Sequence, residues 1–194
     1  MANKIYAFLG PHMSGKSTMV SQLLSMGIHY IPTVTTRVFD DRYAYKRKIY
    51  QTVKSDAYSR EKFIVDNSYQ AHSYGLRKSE VLDAYKTHKV SIALMHDVAG
   101  IKQLQKFINQ DLVTIFLMID DEVFVDRMLR TGCSNDEIRY YVETADETGE
   151  FEHWRDVDFV VKNTSTARIA LEQILSIMGL VTLVPQSDFD NLVK

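Results

Sequence analysis

Short continuous apolar runs alternate along this chain with stretches in which apolar residues recur at helical spacing. Short apolar runs predict buried strands at Lys4–Leu9, Val90–Met95 and Leu112–Ile119. Apolar residues spaced three and four apart predict helices at Ser17–Met26, stopped by a glycine, and at Ser79–Thr87. Strands that alternate with helices are typical of a mainly parallel sheet that is covered on both faces.

The same alternation continues in the second half of the chain, whereas residues 38–78 lose clear periodicity and are rich in Tyr, Lys and Arg. This stretch therefore reads as an inserted segment, which follows a strand end at Thr33–Arg37, and residues 180–194 carry no functional signal. Two further helices are predicted by apolar stripes, one at Ile101, Leu104 and Ile108 and one at Val125, Met128 and Leu129 that is broken at Gly132. A third helix starts at the capping box of Ser134 and Glu137 and runs toward Glu150. A short strand follows at Asp158–Val161, and a closing helix with Leu171, Ile174, Leu175 and Met178 ends at Gly179.

The first strand runs directly into a glycine-rich loop, Gly10–Ser17, which reads GPHMSGKS. The spacing of its two glycines and the Gly-Lys-Ser ending match the loop whose backbone amides wrap phosphate oxygens. Glycines allow the backbone to approach the ligand, and the amides at the start of the next helix favour an anion. The lysine can reach the outer phosphates and the following hydroxyl can hold Mg²⁺. The predicted phosphate-binding residues are Gly10, Ser14, Gly15, Lys16, Ser17 and Thr18.

Composition narrows the classes of protein that fit this pattern. The chain has 194 residues, 45% of them hydrophobic, which is enough for one core of ordinary domain size. A net charge of −2 provides no general basic field for nucleic acid or membrane. Cys133 is the only cysteine, so no intrachain disulfide forms, and no apolar run reaches transmembrane length. We expect a cytoplasmic protein with no nucleic-acid or membrane partner, as a monomer or a homodimer.

Charge is spread unevenly along the chain. Residues 37–62 hold eight Lys and Arg against four Asp and Glu, and residues 120–158 hold thirteen acids against four arginines. A basic segment that faces an acidic one fits two mobile pieces around a phosphate site, and two solvated faces fit the charge equally well. The histidines show no metal-ligand spacing, and they are interpreted as structural or surface residues; His12 lies inside the phosphate loop.

Asp97 follows the strand at Val90–Met95, where a phosphate-loop enzyme usually carries a second group for Mg²⁺. An aspartate just before a helix is also a good N-cap, so both interpretations stay open. Asp97-Val98-Ala99-Gly100 also matches an Asp-x-x-Gly element of GTPases. The base-reading Asn-Lys-x-Asp motif that a GTPase needs is replaced by Val161–Ser165, which reads VKNTS.

Taken together, several short motifs resemble guanylate kinase and its relatives. Thr35-Thr36-Arg37, Tyr74-Gly75 and the Asp-x-x-Gly element carry the resemblance, and Arg127–Gly132 and Asp158–Asn163 are similar to the lid and to the final strand. The resemblance extends from about residue 4 to residue 178. It implies a P-loop NTPase fold, a three-layer α/β/α arrangement with a mainly parallel central sheet, an inserted acceptor-binding segment and a helical lid.

The resemblance also implies a division of the chain and a role for particular residues. Residues 1–32, 79–126 and 151–194 would form the ATP-binding core, residues 33–78 the segment that binds the monophosphate acceptor, and residues 127–150 the lid. Catalytic roles would fall to Lys16, Arg37, Asp97, Arg127, Arg130 and Arg139. The acceptor would contact Thr33, Arg37, Arg42, Tyr50, Tyr74 and Asp97, Asn163 would lie near the adenine, and Ser17 and Asp97 would hold Mg²⁺.

The chain departs from the family pattern mainly on the acceptor side. The second phosphate arginine of the family is Asp40 here, with Arg42 nearby, and the guanine-reading glutamate is Val65. Leu76 replaces a small hydroxyl residue, and Met95 replaces the first acid of Asp-x-Asp. Thr131 and Tyr141 take lid arginine positions, beside Arg130 and Arg139. The loss of a buried carboxylate would remove discrimination for guanine, because a site rejects a wrong base through its buried hydrogen-bonding groups.

These observations predict Mg²⁺-dependent transfer of the γ-phosphoryl group from ATP to a small phosphate acceptor, a nucleoside monophosphate or a similar molecule. An enzyme that phosphorylates ribose 1,5-bisphosphate is the first alternative, since Gln70–Leu76 is somewhat like its acceptor segment. A non-catalytic guanylate-kinase-like binding module and a partner-driving ATPase are the others.

Overall fold

The computed structural model describes residues 3–181, so most of the tail at 180–194 lies outside the described residues. Its strands are β1 (Lys4–Leu9), β2 (His29–Tyr30), β3 (Thr33–Thr35), β4 (Tyr50–Thr52), β5 (Phe63–Tyr69), β6 (His72–Arg77), β7 (Val90–Leu94), β8 (Leu112–Met118) and β9 (Phe159–Lys162). Its α-helices are α1 (Lys16–Ser25), α2 (Ser55–Tyr58), α3 (Lys78–Thr87), α4 (Val98–Ile108), α5 (Asp121–Arg130), α6 (Asn135–Thr148) and α7 (Ala167–Ile177). Turns of 3₁₀ helix cover Asp41–Lys48, Asn109–Asp111 and Glu150–Asp156.

Five parallel strands form the central sheet in the order β2-β7-β1-β8-β9. Strand β1 is in the middle, with Phe8 beside Leu94 on β7 and Ile115 on β8. The carboxyl ends of the strands therefore meet at one edge, where ligands of open α/β sheets bind. The Gly10–Ser17 loop leaves β1 at this edge.

The alternation of side chains along β1 explains the two helical layers. Tyr6 and Phe8 point to one face, where they share a buried cluster with residues of α1 and α7. Ile5, Ala7 and Leu9 point to the other face and pack with residues of α3 and α4. Successive side chains of a strand lie on opposite faces, so a strand that is apolar throughout needs cover on both. The predicted three-layer α/β/α fold with a parallel sheet is confirmed.

Three strands of the segment that lacks periodicity join β3, which precedes it, in a second sheet of the order β4-β3-β6-β5. Strands β5 and β6 form a hairpin in which Tyr69 pairs with His72. Its two turn residues, Gln70 and Ala71, have φ of 50° and 61°. Turns of this kind normally carry Asn-Gly or Asp-Gly, so the sequence offered no hairpin signal. The described segment is therefore ordered strand structure that the hydrophobic pattern did not predict.

Helices α5 and α6 carry a small apolar cluster of their own, which includes Phe124, Met128 and Cys133. Cys133 is buried, and Tyr43 and the thiol approach to 3.5 Å. The predicted capping box is present, since the Ser134 side chain accepts from the backbone of Glu137 and the carboxylate accepts from the backbone of Ser134. Among residues 3–181, no helix combines the length and the apolar character that a membrane crossing requires.

Candidate active site

The Gly10–Ser17 loop joins the carboxyl end of β1 to the first turn of α1, as its sequence predicts. Gly10 has φ of 146° and Gly15 has φ of 94°, conformations that side chains rarely adopt. A Cβ atom at Gly15 would lie 2.5 Å from Asn163 Nδ2, and one at Gly10 would lie 2.5 Å from the Leu117 carbonyl oxygen. The two glycines are thus required by close packing around the loop, and both line the cavity that adjoins it.

The ammonium group of Lys16 lies against its own loop. It donates to the Gly10 carbonyl at 2.5 Å and to the Pro11 carbonyl at 2.8 Å. Burial lowers the pKa of Lys16 to about 8, and the nearby carboxylate of Glu150 opposes that shift. A part-buried cation whose partners are neutral carbonyl and hydroxyl oxygens gains from a bound anion, so this position suits a phosphate.

Two side chains hold the phosphate loop from below. Asn163 Nδ2 donates to the Ser14 carbonyl at 2.8 Å. Arg127 donates to the Met13 carbonyl at 2.9 Å and to the Asn163 carbonyl at 2.7 Å. These bonds fix the loop against β9 and α5. The resemblance assigned Asn163 to the adenine and Arg127 to a mobile lid, whereas the structure shows both in contact with the loop itself.

A cavity of about 330 Å³ opens above the loop and reaches the inserted segment. Its volume lies at the small end of the range for ligand sites. Within the described residues, its lining includes cationic side chains and no carboxylate. The charged and polar side chains that line it are His12, Ser14, Lys16, Ser17, Thr18, Arg37, Tyr45, Lys46, Tyr50, Tyr69, Tyr74, His96, Arg127, Arg130, Thr131 and Asn163. This arrangement suits a ligand with several negative charges.

Arg37 enters the cavity from the end of β3. Its guanidinium donates to the Tyr141 hydroxyl at 2.9 Å and to Gln70 Oε1 at 3.5 Å, and it also interacts with the Tyr74 hydroxyl. Tyr50 lies deeper in the cavity wall with its hydroxyl toward Ser17. The structure therefore brings Arg37, Tyr50 and Tyr74 to the same cavity as the phosphate loop. Their partners are neutral, so the positive charge of the arginine is free to meet an anion.

Lys46 is a cavity residue that the sequence did not single out. It lies in the 3₁₀ segment Asp41–Lys48, with its ammonium group 4.6 Å from the ring centre of Tyr43. Burial lowers its pKa to about 7, and the positive charges of Arg37 and Lys16 add to the shift. Three cationic side chains are thus close enough to influence one another. A basic run beside several tyrosines was the only signal in the sequence.

Two histidines also reach the cavity, although neither was predicted to act there. The His12 ring stacks on Tyr141 with ring centres 4.2 Å apart, and the His96 ring lies 3.9 Å from that of Tyr74. Burial, followed by nearby cations, lowers the pKa of both far below the usual value, so both rings are neutral at pH 7. Within the described residues, the Nε2 atom of each is buried without a hydrogen-bond partner. Each ring therefore keeps one unpaired hydrogen-bonding nitrogen within the wall of the cavity.

Glu150 lies behind the phosphate loop, 4% exposed. One carboxylate oxygen accepts from the backbone amide of His12 at 3.4 Å, and the carboxylate also interacts with the Tyr69 hydroxyl. It offsets part of the positive charge at Lys16. The hydrophobic pattern placed Glu150 only at the far end of a polar helix, so this contact was not predicted.

Several predicted site residues lie elsewhere. The Asp97 carboxylate caps α4 by accepting from the Gly100 amide at 2.7 Å, and it accepts from Asn67 at 2.7 Å. Ser17 lines the cavity and Asp97 does not. The structure therefore shows Asp97 as the N-cap of α4. Thr33 is buried, and its hydroxyl bonds to that of Tyr30 at 3.0 Å. Their roles toward a ligand stay predictions.

The other arginines differ in position. Arg42 pairs with Asp40 at 3.0 Å and with Glu137 at 2.9 Å, which links the inserted segment to α6. Arg130 lies at the rim of the cavity and pairs with Asp126 at 2.9 Å. Arg139 is exposed on α6 and does not line the cavity. The structure therefore presents Arg127 and Arg130 at the cavity and Arg42 and Arg139 away from it.

Comparisons with known proteins agree with the architecture. No protein-family model matches the chain, and no curated protein matches it in sequence. A solved structure of guanylate kinase from Anaplasma phagocytophilum is similar with a TM-score of 0.70 and 20% identity, over 92% of this chain and 85% of that one. A shikimate kinase from Bacteroides thetaiotaomicron is similar with a TM-score of 0.51 and 13% identity, over 91% and 99%. The chain has a guanylate-kinase-like P-loop kinase fold.

Proposed function

We propose that this protein is an ATP-dependent phosphotransferase whose acceptor is a small phosphate-bearing molecule. The observation that carries the proposal is the meeting of Lys16, Arg37 and Lys46 around one cavity. Lys16 belongs to a phosphate loop, while the other two come from the inserted segment. A donor phosphate and an acceptor phosphate would each find a cation there. A nucleoside monophosphate is the acceptor that the resemblance implies.

The transfer breaks the bond between the β–γ bridging oxygen and the γ-phosphorus of ATP. It forms a bond from that phosphorus to an oxygen of the acceptor phosphate, which leaves ADP and an acceptor with one phosphoryl group more. An ionised phosphate is already nucleophilic, so no side chain has to take a proton. The work of the protein is then to align the two phosphates and to neutralise their charge.

ATP fits the phosphate loop, because Gly10, Gly15 and Lys16 of this loop line the cavity. Mg²⁺ fits less closely, since residues 3–181 contain no group of three or more acidic, histidine or cysteine ligands. Ser17 supplies a hydroxyl at the cavity, and Mg²⁺ in kinases is usually held by substrate phosphates and water with few protein ligands. When bound, the ion would neutralise charge on the phosphates that react.

The proposed division of labour follows the chain. Residues 1–32, 79–126 and 151–194 would hold the donor, residues 33–78 the acceptor, and residues 127–150 would form the lid. Arg37 and Lys46 would orient the acceptor, with Tyr50 and Tyr74 as neutral donors. Arg130 would act from the rim of the lid, while Asp97 and Arg42 would serve the scaffold.

The direct test is ADP release from ATP and Mg²⁺ with a panel of phosphorylated acceptors, together with mass detection of the phosphorylated product. Acceptor-dependent ADP release with a matching product is the expected result. ATP binding without transfer to any acceptor would instead favour a binding module. ADP release at the same rate with and without an acceptor would indicate an ATPase.

A further inference from the structure

The space next to the acceptor cations is almost filled. A small void of about 10 Å³ lies behind Tyr74, and it is lined by Val65, Leu76, Met95 and His96, among others. A void of this size holds about one water molecule. A nucleobase attached to a phosphate at Arg37 has no comparable space on this side of the cavity.

The residues that fill this space belong to the core. Val65 and Leu76 lie opposite each other on β5 and β6, with exposed fractions of 3% and 1%. Both pack in one buried cluster with Met95 and with residues of β1. They occupy positions at which the guanylate kinase family carries polar residues. To admit a base, the hairpin would have to expose this apolar cluster to water or to a polar ring.

Most polar atoms around the void are already paired. The Thr33 hydroxyl bonds to that of Tyr30, and Asn67 Nδ2 donates to the Asp97 carboxylate. The Asn67 Oδ1 atom is buried and unpaired within the described residues. Selective recognition of a base requires several buried donors and acceptors, so this amide oxygen and the unpaired Nε2 atom of His96 are too few.

His96 closes the cavity on the side of the void. It lines both spaces, and its ring is packed among those of Tyr50, Tyr69 and Tyr74, with centres 6.0, 5.4 and 3.9 Å away. Its buried Nε2 atom has no partner within the described residues. A neutral imidazole can donate to or accept from a hydroxyl group. The end wall of the acceptor space is therefore suited to a hydroxylated ligand.

We infer that the acceptor is a phosphorylated molecule without a nucleobase, about the size of a sugar phosphate, bound with its phosphate at Arg37 and Lys46 and a hydroxyl group at His96. The inference rests on the proposed phosphotransferase function and narrows its acceptor. ATP remains the donor, and the products are ADP and an acceptor with one additional phosphoryl group. The void is too small for a base, and the unpaired Nε2 atom of His96 would favour a hydroxyl group.

The first test compares ribose 5-phosphate and ribose 1,5-bisphosphate with AMP and GMP. Each is titrated calorimetrically into protein that is saturated with a non-hydrolysable ATP analogue, so that the nucleotides compete only for the acceptor space. At least one sugar phosphate should bind about 10²-fold more tightly than either nucleotide, because the nucleotide must displace buried side chains. Equal affinities, tighter nucleotide binding, or no binding of either sugar phosphate would overturn the inference.

This result is separable from the proposed function, since ADP release is measured independently. A protein that binds the ATP analogue and transfers phosphate to AMP or GMP would retain the proposed function and refute the base-free acceptor. A protein that binds the sugar phosphate and never releases ADP would retain the acceptor site and refute the phosphotransferase.

The second test concerns His96 itself, with His88 as the matched control. His88 precedes β7 and His96 follows it, so the two histidines mark opposite ends of one strand. His96→Ala should weaken the tightest-binding sugar phosphate about tenfold, His96→Gln should restore part of the loss, and His88→Ala should change nothing. Unchanged affinity in His96→Ala would overturn the contact, provided that binding of the ATP analogue shows that the variant is folded.

Discussion

The two halves of the candidate site are built in different ways. The donor half is a backbone loop between β1 and α1, and its glycines are fixed by contacts with Asn163 and the Leu117 carbonyl. The acceptor half consists of side chains that come from separate turns and strands, such as Arg37 at the end of β3 and Lys46 in a 3₁₀ segment. A backbone site tolerates little change, because each glycine is required by geometry. A side-chain site can change its ligand by substitution alone.

This difference explains why the resemblance to guanylate kinase is strong for the donor and weak for the acceptor. Val65 and Leu76 convert polar positions into core while the strands that carry them remain paired. Arg37 and Lys46 line the cavity, whereas Asp40 stands at the position of the second family arginine and Arg42 pairs with acidic side chains away from the cavity. The fold is therefore shared while the side chains around the cavity differ.

The largest expected effect lies on the donor side. Lys16→Ala should lower the transfer rate by roughly 10³-fold, because it removes the charge that meets the outer phosphates. The fold should remain, since Lys16 has only neutral oxygen partners and its burial lowers its pKa to about 8. Rates are measured at saturating ATP, and thermal unfolding checks the fold. Lys106→Ala, on the exposed face of α4, is the control. Unchanged turnover would show that the loop does not serve transfer.

The second prediction separates the two halves directly. Arg37→Ala should raise the KM for the acceptor by about 10²-fold and change the KM for ATP little, because charged hydrogen bonds to a phosphate are lost on one side only. Arg60→Ala, an exposed arginine of the same segment, serves as the control. Equal losses for both substrates would contradict the assignment of Arg37 to the acceptor.

The central fold was predictable from sequence, and the inserted segment was not. Strands such as β1 and β8 are apolar runs, and the predicted bounds differ from the observed ones by only one or two residues at most ends. The β5–β6 hairpin escaped because Gln70 and Ala71 adopt positive φ without the usual Asn or Gly. Strand β4 is three residues long, too short for a period to appear.

The local geometry of the candidate site was predictable where a motif has a fixed spacing, and it was not predictable where contacts are long-range. The Gly10–Ser17 loop is local in sequence, so its geometry follows from its residues. The Asn163 side chain donates to the Ser14 carbonyl, 149 positions away in the sequence, and no sequence pattern predicts that hydrogen bond. His96 and Lys46 are ordinary residues until the fold surrounds them with the cavity, and the N-cap role of Asp97 was one of two open alternatives.

The third prediction tests whether Asn163 supports the loop rather than the adenine. Asn163→Ala should weaken ATP binding about tenfold and lower the unfolding temperature, because the buried Ser14 carbonyl loses its donor. ADP binding and tripolyphosphate binding should weaken in the same proportion. Adenosine, which lacks phosphates, should lose nothing. A loss of affinity confined to ligands that carry adenine would show instead that Asn163 contacts the adenine base. Asn135→Ala, at the exposed start of α6, is the control.

The fourth prediction uses pH to single out the acceptor half. The pKa of Lys46 falls from its ordinary value of 10.5 to about 7, so the folded protein binds fewer protons than the unfolded chain between these values. Stability of the ligand-free protein should therefore rise with pH in that window. A phosphate favours the charged lysine, so acceptor affinity should fall, by up to about tenfold, as pH rises above 7.

Lys46→Arg keeps its charge throughout this range and should flatten the fall in acceptor affinity. Lys48→Arg, an exposed residue of the same 3₁₀ segment, should not. The measurement belongs above pH 7, since phosphate itself takes up a proton near pH 6. Any decline that remains in Lys46→Arg is expected from Lys16, whose pKa is about 8. An identical pH profile in the wild type and in Lys46→Arg would remove Lys46 from the acceptor half.

The smallest effect is expected for Arg42, which tests how far the acceptor half extends. Arg42 was predicted from sequence as a phosphate ligand, yet it pairs with Asp40 and Glu137 between the inserted segment and α6. Exposed ion pairs contribute little to stability, so Arg42→Ala should lower the unfolding temperature only slightly and leave the acceptor KM unchanged. Glu137→Gln should give the same small effect, because it breaks the same pair. A large rise in acceptor KM in Arg42→Ala alone would show that Arg42 leaves its partners to bind phosphate, and the acceptor half would then extend to the edge of α6.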